Sequence, residues 1–343
     1  MLVSNLFDPA LLPEYLDRRL LTARRHPTLP LTIYNYSDSA QAGWLFDNVT
    51  RQCRGLVLDD NNRVIARPMD KFMNRDQPGA DVIDLDEPIT VFDKADGSLI
   101  IFTYDEEFGP IVSSRGSFES DQAKLANEML KGAVPRNPRL TYMLELVGPS
   151  NRIVLEYPED ELIVLGARAI TSGKLVHPVT ARHLLDRPDL KTVESFPYHT
   201  LRELLSAPDR DGAEGYVIQT PDGRMLKHKF DAYVDLHRII FGMNIKTIWE
   251  MLGEGKTVEV ILEELPDEIH GFVIESYEQL SEKFTIIEQT ARTDLDSAPR
   301  GVDRKTFAQY AFKTEYPHVL LAMMDNRDYM SMIHKMIKPK VGE

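Results

Sequence analysis

The chain has 343 residues, 43% hydrophobic and 27% charged, enough for one large or two ordinary soluble domains with a core that needs no disulfide staples. Its single cysteine, Cys53, excludes an intramolecular disulfide and a cysteine-built zinc site, no apolar run approaches a membrane span, and residues 1–17 lack the basic start of a signal peptide, so a reducing cytoplasm is expected. A net charge of −14, from 40 Lys and Arg against 54 Asp and Glu, argues against indiscriminate coating of nucleic acid but leaves room for a local basic groove.

Residues 10–25 have helical spacing, with Leu12, Tyr15, Leu16 and Leu20 as the apolar set. From about Leu31 to Phe230 the texture is short apolar runs split by turn residues. Residues 54–59 and 63–67 flank Asp60-Asn61-Asn62, and residues 89–94 and 98–104 flank Ala95-Asp96-Gly97; both pairs read as hairpins. Residues 110–115 add a third strand to the second of these. Residues 121–130 read as helix, 141–147 and 162–169 as strands, and 214–220 with 224–230 as a hairpin around Pro221-Asp222-Gly223. Beyond Phe230, residues 231–252, 257–265, 271–292, 305–315 and 318–338 suit helices, with Pro266, Pro299 and Pro317 between them. The expected fold is α+β: a mostly antiparallel domain over residues 1–240, then a small all-helical domain over 241–343. Residues 254–288 carry ten acidic side chains against Lys256 and Lys283, whereas 292–340 carry nine basic against six acidic.

The strongest chemical signal is Lys94-Ala95-Asp96-Gly97-Ser98-Leu99. A lysine that ends an apolar strand just before a tight Asp-Gly turn is held rigidly, and neighbouring cations or burial free its lone pair for attack. The same pattern also describes an exposed hairpin lysine. Lys227 and Lys229 lie two apart on an expected strand and share a face, where a polyphosphate or plain solvent would relieve their repulsion. Glu145 sits in a strand whose alternate sets are both apolar. Such a carboxylate needs a structural ion pair, a metal or a ribose hydroxyl. Glu214 opens another apolar strand and poses the same choice. Arg54, Lys71 and Arg115 add cations from three further segments, each also readable as an ordinary surface charge.

Together, and in this order, these segments resemble the covalent nucleotidyltransferases, which comprise polynucleotide ligases and capping enzymes. Their Lys-x-Asp-Gly motif is matched by Lys94, Asp96 and Gly97, and later motifs by Ser114-Arg115-Gly116, Glu145, Glu214-Gly215 and Lys227-x-Lys229. Within that superfamily the chain resembles the phage-type RNA ligase 1 family, ATP-dependent ligases that repair broken tRNA. The carrying segments are Cys53-Arg54-Gly55, Arg67-Pro68-Met69-x-Lys71-Phe72, Lys94 to Leu99, Ser150-Asn151-Arg152-Ile153-Val154-Leu155, Glu214-Gly215-Tyr216-Val217, residues 227–233 with Leu236-His237, and Asp303-Arg304-Lys305-Thr306.

The resemblance implies an antiparallel-sheet nucleotidyltransferase domain of the ATP-grasp-like ligase type, followed by a helical domain that docks tRNA with residues such as Arg300, Arg304 and Lys305. It implies that Lys94 attacks the α-phosphorus of ATP to form lysyl-AMP. The AMP then passes to an RNA 5′-phosphate, and a 3′-hydroxyl attacks to seal the strand and release AMP. Positioning and charge neutralisation dominate such displacements. Arg54, Lys71, Lys227 and Lys229 match positions that hold the triphosphate or orient pyrophosphate, and Tyr233 a further phosphate-side contact. Asp96, Glu145 and Glu214 match the acidic surround of Mg2+ (or Mn2+), directly or through its waters. Val217 would wall the adenine slot. Arg115 stands where the family has lysine; it keeps the charge but changes reach and geometry. The implied partners are RNA, above all nicked tRNA, and a polynucleotide kinase/phosphatase, with no membrane, in the cytoplasm of a bacterial or phage-infected cell.

Rival readings are a capping guanylyltransferase or DNA ligase, which usually append an OB-fold barrel, and a non-catalytic RNA-binding protein that keeps the fold. Gly253-Glu254-Gly255-Lys256-Thr257 is no phosphate-cradling loop, because the first glycine position is Glu250 and the flanks read as helix. The histidines show no HExxH pattern, and His177 with His183 has the wrong spacing for one helix face, so no zinc is expected.

Overall fold

The first helix is shorter than its periodicity suggests. It covers Leu11–Asp17, Arg19 then takes φ = 56°, and the chain continues as a strand from Leu21. Leu20 is buried as expected, but pairing with a neighbouring strand overrides the helical spacing beyond it. This computed structural model describes residues 1–240, 242–263, 265 and 267–339.

Strands β1 (Leu21–Arg25), β2 (Leu31–Tyr36), β3 (Arg54–Asp59) and β4 (Val64–Ala66) form an antiparallel sheet in that order. The β3–β4 hairpin closes where expected, with Asn62 at φ = 59°. The later strands are β5 (Thr90–Asp93), β6 (Ser98–Asp105), β7 (Gly109–Ser114), β8 (Leu140–Val147), β9 (Glu161–Ala169), β10 (Leu175–Val176), β11 (Lys191–Thr192), β12 (Ser195–Phe196), β13 (Gly215–Gln219) and β14 (Met225–Lys229). They make two further sheets among the described residues. One runs β10-β9-β8-β6-β7 with β11 parallel to β9, and the other runs β12-β5-β13-β14.

The expected hairpin across Ala95-Asp96-Gly97 does not exist. β5 pairs with β12 and β13, whereas β6 pairs with β7 and β8, so the segment from Lys94 to Gly97 crosses from one sheet to another. A local Asp-Gly turn signal loses here to tertiary packing. A Cβ on Gly97 would stand 2.2 Å from the Leu146 carbonyl oxygen, so only glycine lets the crossing lie flush against β8.

Apolar packing joins the three sheets. Ile101 and Ile111 of the central sheet meet Ile33, Val57 and Ile65 of the first. Phe102, Tyr142, Leu144 and Val164, on its other side, are covered by the helices Asp121–Met129 and Pro178–Leu185. Phe92 and Val217 of the third sheet join Val147, Ile163 and Leu165 of the central one. The nucleotidyltransferase-type expectation of an α+β domain built on antiparallel sheets thus holds, as does the helical C-terminal region.

The chain divides into two compact units, Met1–Leu236 and His237–Glu343. The single helix expected over 231–252 is two, Asp231–Ile240, which runs across the boundary between the units, and Ile245–Gly253 in the second, parted at Gly242 (φ = 63°) and restarted by the Asn244 cap on the Thr247 amide. The helix expected over 318–338 likewise splits at Asn326 (φ = 54°) into Pro317–Met324 and Met330–Met336. Val273, Leu280 and Ile287 recur at heptad spacing and are buried, which sustains the long helix Asp267–Asp296. Val258–Glu263 and Arg304–Ala311 complete the helices of this unit among the described residues, whereas Pro266 lies outside them. No described helix is long and apolar enough to cross a membrane.

Candidate active site

Lys94 leaves β5 with its amide donating to the Gly215 carbonyl at 3.1 Å, which fixes it beside the start of β13. Its ammonium lies 2.7 Å from Glu214 Oε1. The same oxygen takes Lys229 at 2.8 Å. Glu214 is 2% exposed, so the two partly buried lysines meet on a buried carboxylate. Gly215 is obligatory at its place: φ is 148°, and a Cβ would lie 2.1 Å from the His228 carbonyl oxygen of β14. The β13–β14 register sets Val217 against Lys227 and Gly215 against Lys229, which puts both lysines on one face as their spacing requires.

Arg54, Lys71, Arg115 and Lys227 gather around the aromatic rings of Phe72 and Tyr36. Lys227 lies 5.2 Å and Arg54 5.6 Å from the centroid of Phe72. Burial, then the charges of Lys71, Lys94, Lys229 and Arg54, hold the Lys227 ammonium well below its ordinary pKa. Burial also lowers Arg54, with Tyr36 opposing and Arg115 adding to the effect. Tyr36 is the hub that no sequence signal marks. Its hydroxyl accepts from Lys71 at 3.2 Å and from Arg115 at 2.7 Å, and both cations lie over its ring, at 4.8 and 4.9 Å. Lys71 also donates to Gln41 and lies 5.4 Å from the Phe46 ring. The Arg115 guanidinium lies over the Tyr36 ring and bonds its hydroxyl, a pairing that suits a planar fork better than an ammonium. Collected with few carboxylates, these cations create a positive potential that favours an anion.

Asp96 is held by the protein at both of its carboxylate oxygens. Its Oδ2 accepts from the Val154 and Leu155 amides at 2.9 and 2.6 Å, and its Oδ1 from the Tyr233 hydroxyl at 2.7 Å. Its own amide donates to the Tyr157 hydroxyl at 3.2 Å. Both carboxylate oxygens are thus committed to holding the crossing segment in place, and Tyr233 is engaged there, 5.5 Å from the Lys229 ammonium. No group of three His, Cys, Asp or Glu side chains among the described residues is arranged to hold a metal ion. Glu214 Oε2, buried without a hydrogen-bond partner, and the Glu145 carboxyl are the oxygens suited to a divalent cation and its waters.

Glu145 faces β6 at Leu99 in the sheet register. Burial, opposed by Lys94 and reinforced by Glu214, pushes its pKa from the ordinary 4.5 to about 7. Between about pH 4 and 7 the unfolded chain therefore loses a proton that the folded chain keeps, so stability falls with rising pH across that window and levels off above it. In metal-free buffer, Glu145→Gln should match wild type near pH 4 and exceed it at pH 8 by about 1–3 kcal/mol in urea unfolding. A pH-independent difference would show that the carboxyl is not held protonated.

Val217 is half-buried and packs with Phe92, Ala95, Val147 and Tyr157, an apolar cluster that includes the residue after Lys94. The structure thus brings together Lys94, Glu214, Lys229, Lys227, Arg54, Lys71, Arg115, Glu145, Tyr233 and Val217. In the second unit, Arg304 pairs with Asp325 at 2.6 Å, which Arg327 shares at 3.0 Å, and Arg300 and Lys305 are exposed.

A protein-family model described as RNA ligase matches residues 52–235, more than half of the chain. Among solved structures, an archaeal ATP-dependent RNA ligase is similar at 14% identity over 91% of this chain and 88% of its own, with a TM-score of 0.49. The Naegleria gruberi RNA ligase with pyrophosphate is similar at 19% identity and a TM-score of 0.35, over 45% of this chain and 52% of that one. The chain spans about half the length of the Naegleria ligases it matches.

Proposed function

The chain belongs to the phage-type RNA ligase family whose model matches residues 52–235, and on that premise we propose that it is an ATP-dependent ligase joining RNA 5′-phosphate and 3′-hydroxyl ends. The observation that carries this reading is the Lys94–Glu214–Lys229 triad, closed on a buried carboxylate, together with the cations gathered around Phe72 and Tyr36. Lys94 Nζ forms a bond to the α-phosphorus of ATP as the bond to the bridging oxygen breaks and pyrophosphate leaves. Glu214 Oε1, at 2.7 Å, stands ready to take the ammonium proton. Lys71, Arg115, Arg54, Lys227 and Lys229 neutralise the triphosphate and the departing pyrophosphate, an electrostatic task suited to fixed cations in a partly dry site. A divalent cation, Mg2+ in this reading, would supply further charge neutralisation beside Glu145 and Glu214 Oε2. Adenine would stack in the slot walled by Val217.

The AMP then passes to a 5′-phosphate, and the 3′-hydroxyl displaces it. The finer reading is repair of nicked tRNA, docked through the helical unit, alongside a polynucleotide kinase/phosphatase in the cytoplasm of a bacterial or phage-infected cell. It rests on the ordered motifs that resemble the tRNA-repairing ligases.

One experiment tests both levels. The protein is incubated with magnesium and α-labelled ATP or GTP, resolved on a denaturing gel, then chased with 5′-phosphorylated RNA. Label from ATP that moves to RNA is expected, with tRNA nicked in the anticodon loop sealed faster than a linear single strand. Label from GTP alone, or none, would overturn the ligase reading. Equal sealing of both RNAs would overturn the tRNA reading only.

A further inference from the structure

Segment 206–213 leads into Glu214, and one side chain ties it to the strand that delivers Lys94. Arg210 donates from its guanidinium to Asp93 Oδ1 at 2.9 Å, and Asp93 immediately precedes Lys94. The guanidinium also lies 4.3 Å from the centroid of Phe196 and 5.7 Å from that of Tyr216. Tyr216 is the register partner of Asp93 between β13 and β5, and packs edge-on against Phe196 and Phe230, both at 5.1 Å. Arg210 thus spans β12, β5 and β13. It does so on the opposite face of the sheet from Phe92 and Val217, where the nucleotide slot lies. Burial pushes the Asp93 carboxyl upward in pKa, and the Arg210 charge opposes this.

The consequence is mechanical. The Lys94–Glu214 contact depends on two strand ends meeting, the exit of β5 and the entry of β13, and a single guanidinium holds both from behind. We propose that Arg210 is a positioning residue for the attack by Lys94, clamping the exit of β5 and the approach to Glu214 so that nucleophile and proton acceptor stay in register. This rests on the ligase reading above. Removing Arg210 strands the Asp93 carboxylate half-buried with no counter-charge, which drives the strand end to move toward water. A shift of about 1 Å in the nucleophile costs on the order of 100-fold in rate.

The test uses the full chain and single-turnover formation of lysyl-AMP at saturating ATP. Arg210→Ala should slow this step by roughly 10- to 100-fold, with the KM for ATP within about threefold and the melting temperature lowered by only a few degrees, because the Arg210–Asp93 pair is about a third exposed. Adding Asp93→Asn, which removes the stranded charge, should restore most of the rate, and Arg210→Lys should restore part of it. An Arg210→Ala rate within about twofold of wild type would overturn the proposal. So would single and double variants that are equally slow and melt equally early, since that marks plain loss of fold. The two readings fail differently: absence of lysyl-AMP on the wild type overturns the ligase reading and this inference with it, whereas normal labelling of both proteins overturns this inference alone.

Discussion

Lys94→Ala should carry no label after incubation with α-labelled ATP and magnesium, a loss of more than about 1,000-fold, because no other group stands where the new bond to phosphorus must form. Lys94→Arg should be equally silent. It keeps the positive charge beside Glu214, but a guanidinium holds its protons and offers no lone pair. Both variants should fold. The Lys94 side chain is 17% exposed and shares its carboxylate with Lys229, so Glu214 remains paired at 2.8 Å when Lys94 is gone. Urea unfolding is the control, and wild-type labelling of a properly folded Lys94→Ala would remove Lys94 from the chemistry.

Glu214→Ala is the complementary case, in which the fold suffers as well. Two ammonium groups converge on one oxygen, at 2.7 and 2.8 Å, in a place where Glu214 is 2% exposed. Deleting the carboxylate leaves like charges facing each other without an anion, and breaking such a buried arrangement costs about 3–5 kcal/mol. Stability at pH 7 should drop by that order, and lysyl-AMP formation by at least ~100-fold. Glu214→Gln should be gentler on packing and still severe on labelling, since an amide neither balances two lysines nor takes a proton. High salt or added pyrophosphate should recover part of the lost stability by supplying the missing negative charge. An alanine variant as stable as wild type would mean that the two lysines are well solvated and that the triad is not a buried unit.

Much of this site is legible along the chain because its residues sit on regular elements. Lys227 and Lys229 share a face through the two-residue period of β14, and Glu145 lies in an expected strand. Lys94 and Glu214 are marked by the ordered motifs around them. The failures are equally physical. Ala95-Asp96-Gly97 has the composition of a turn, but a turn signal is local, and the pairing of β5 and β6 with different neighbours is decided by strands far away in sequence. That Asp96 accepts from the amides of Val154 and Leu155 could not be read from the chain, because those donors lie 58 and 59 residues away. Tyr36 is invisible for the same reason: its partners Lys71 and Arg115 lie 35 and 79 residues away. The helices expected over 10–25, 231–252 and 318–338 fail where Arg19, Gly242 and Asn326 take positive φ, a backbone event that apolar periodicity does not encode.

The crossing from β5 to β6 also constrains how the chain is made. β5 has no partner among the strands that precede it; β12 and β13 emerge from the ribosome about a hundred residues later. The first sheet, and then much of the central one, can close while β5 is still an unpaired strand bearing Val91 and Phe92, which are buried once the fold is complete. During synthesis this segment is therefore the one most exposed to wrong pairing with other nascent chains, and dependence on chaperones should concentrate there. The proposed site must wait as well: it has no Glu214, Lys227 or Lys229 until nearly all of the first unit has been translated, so on the ligase reading a chain terminated earlier leaves no partly competent enzyme behind.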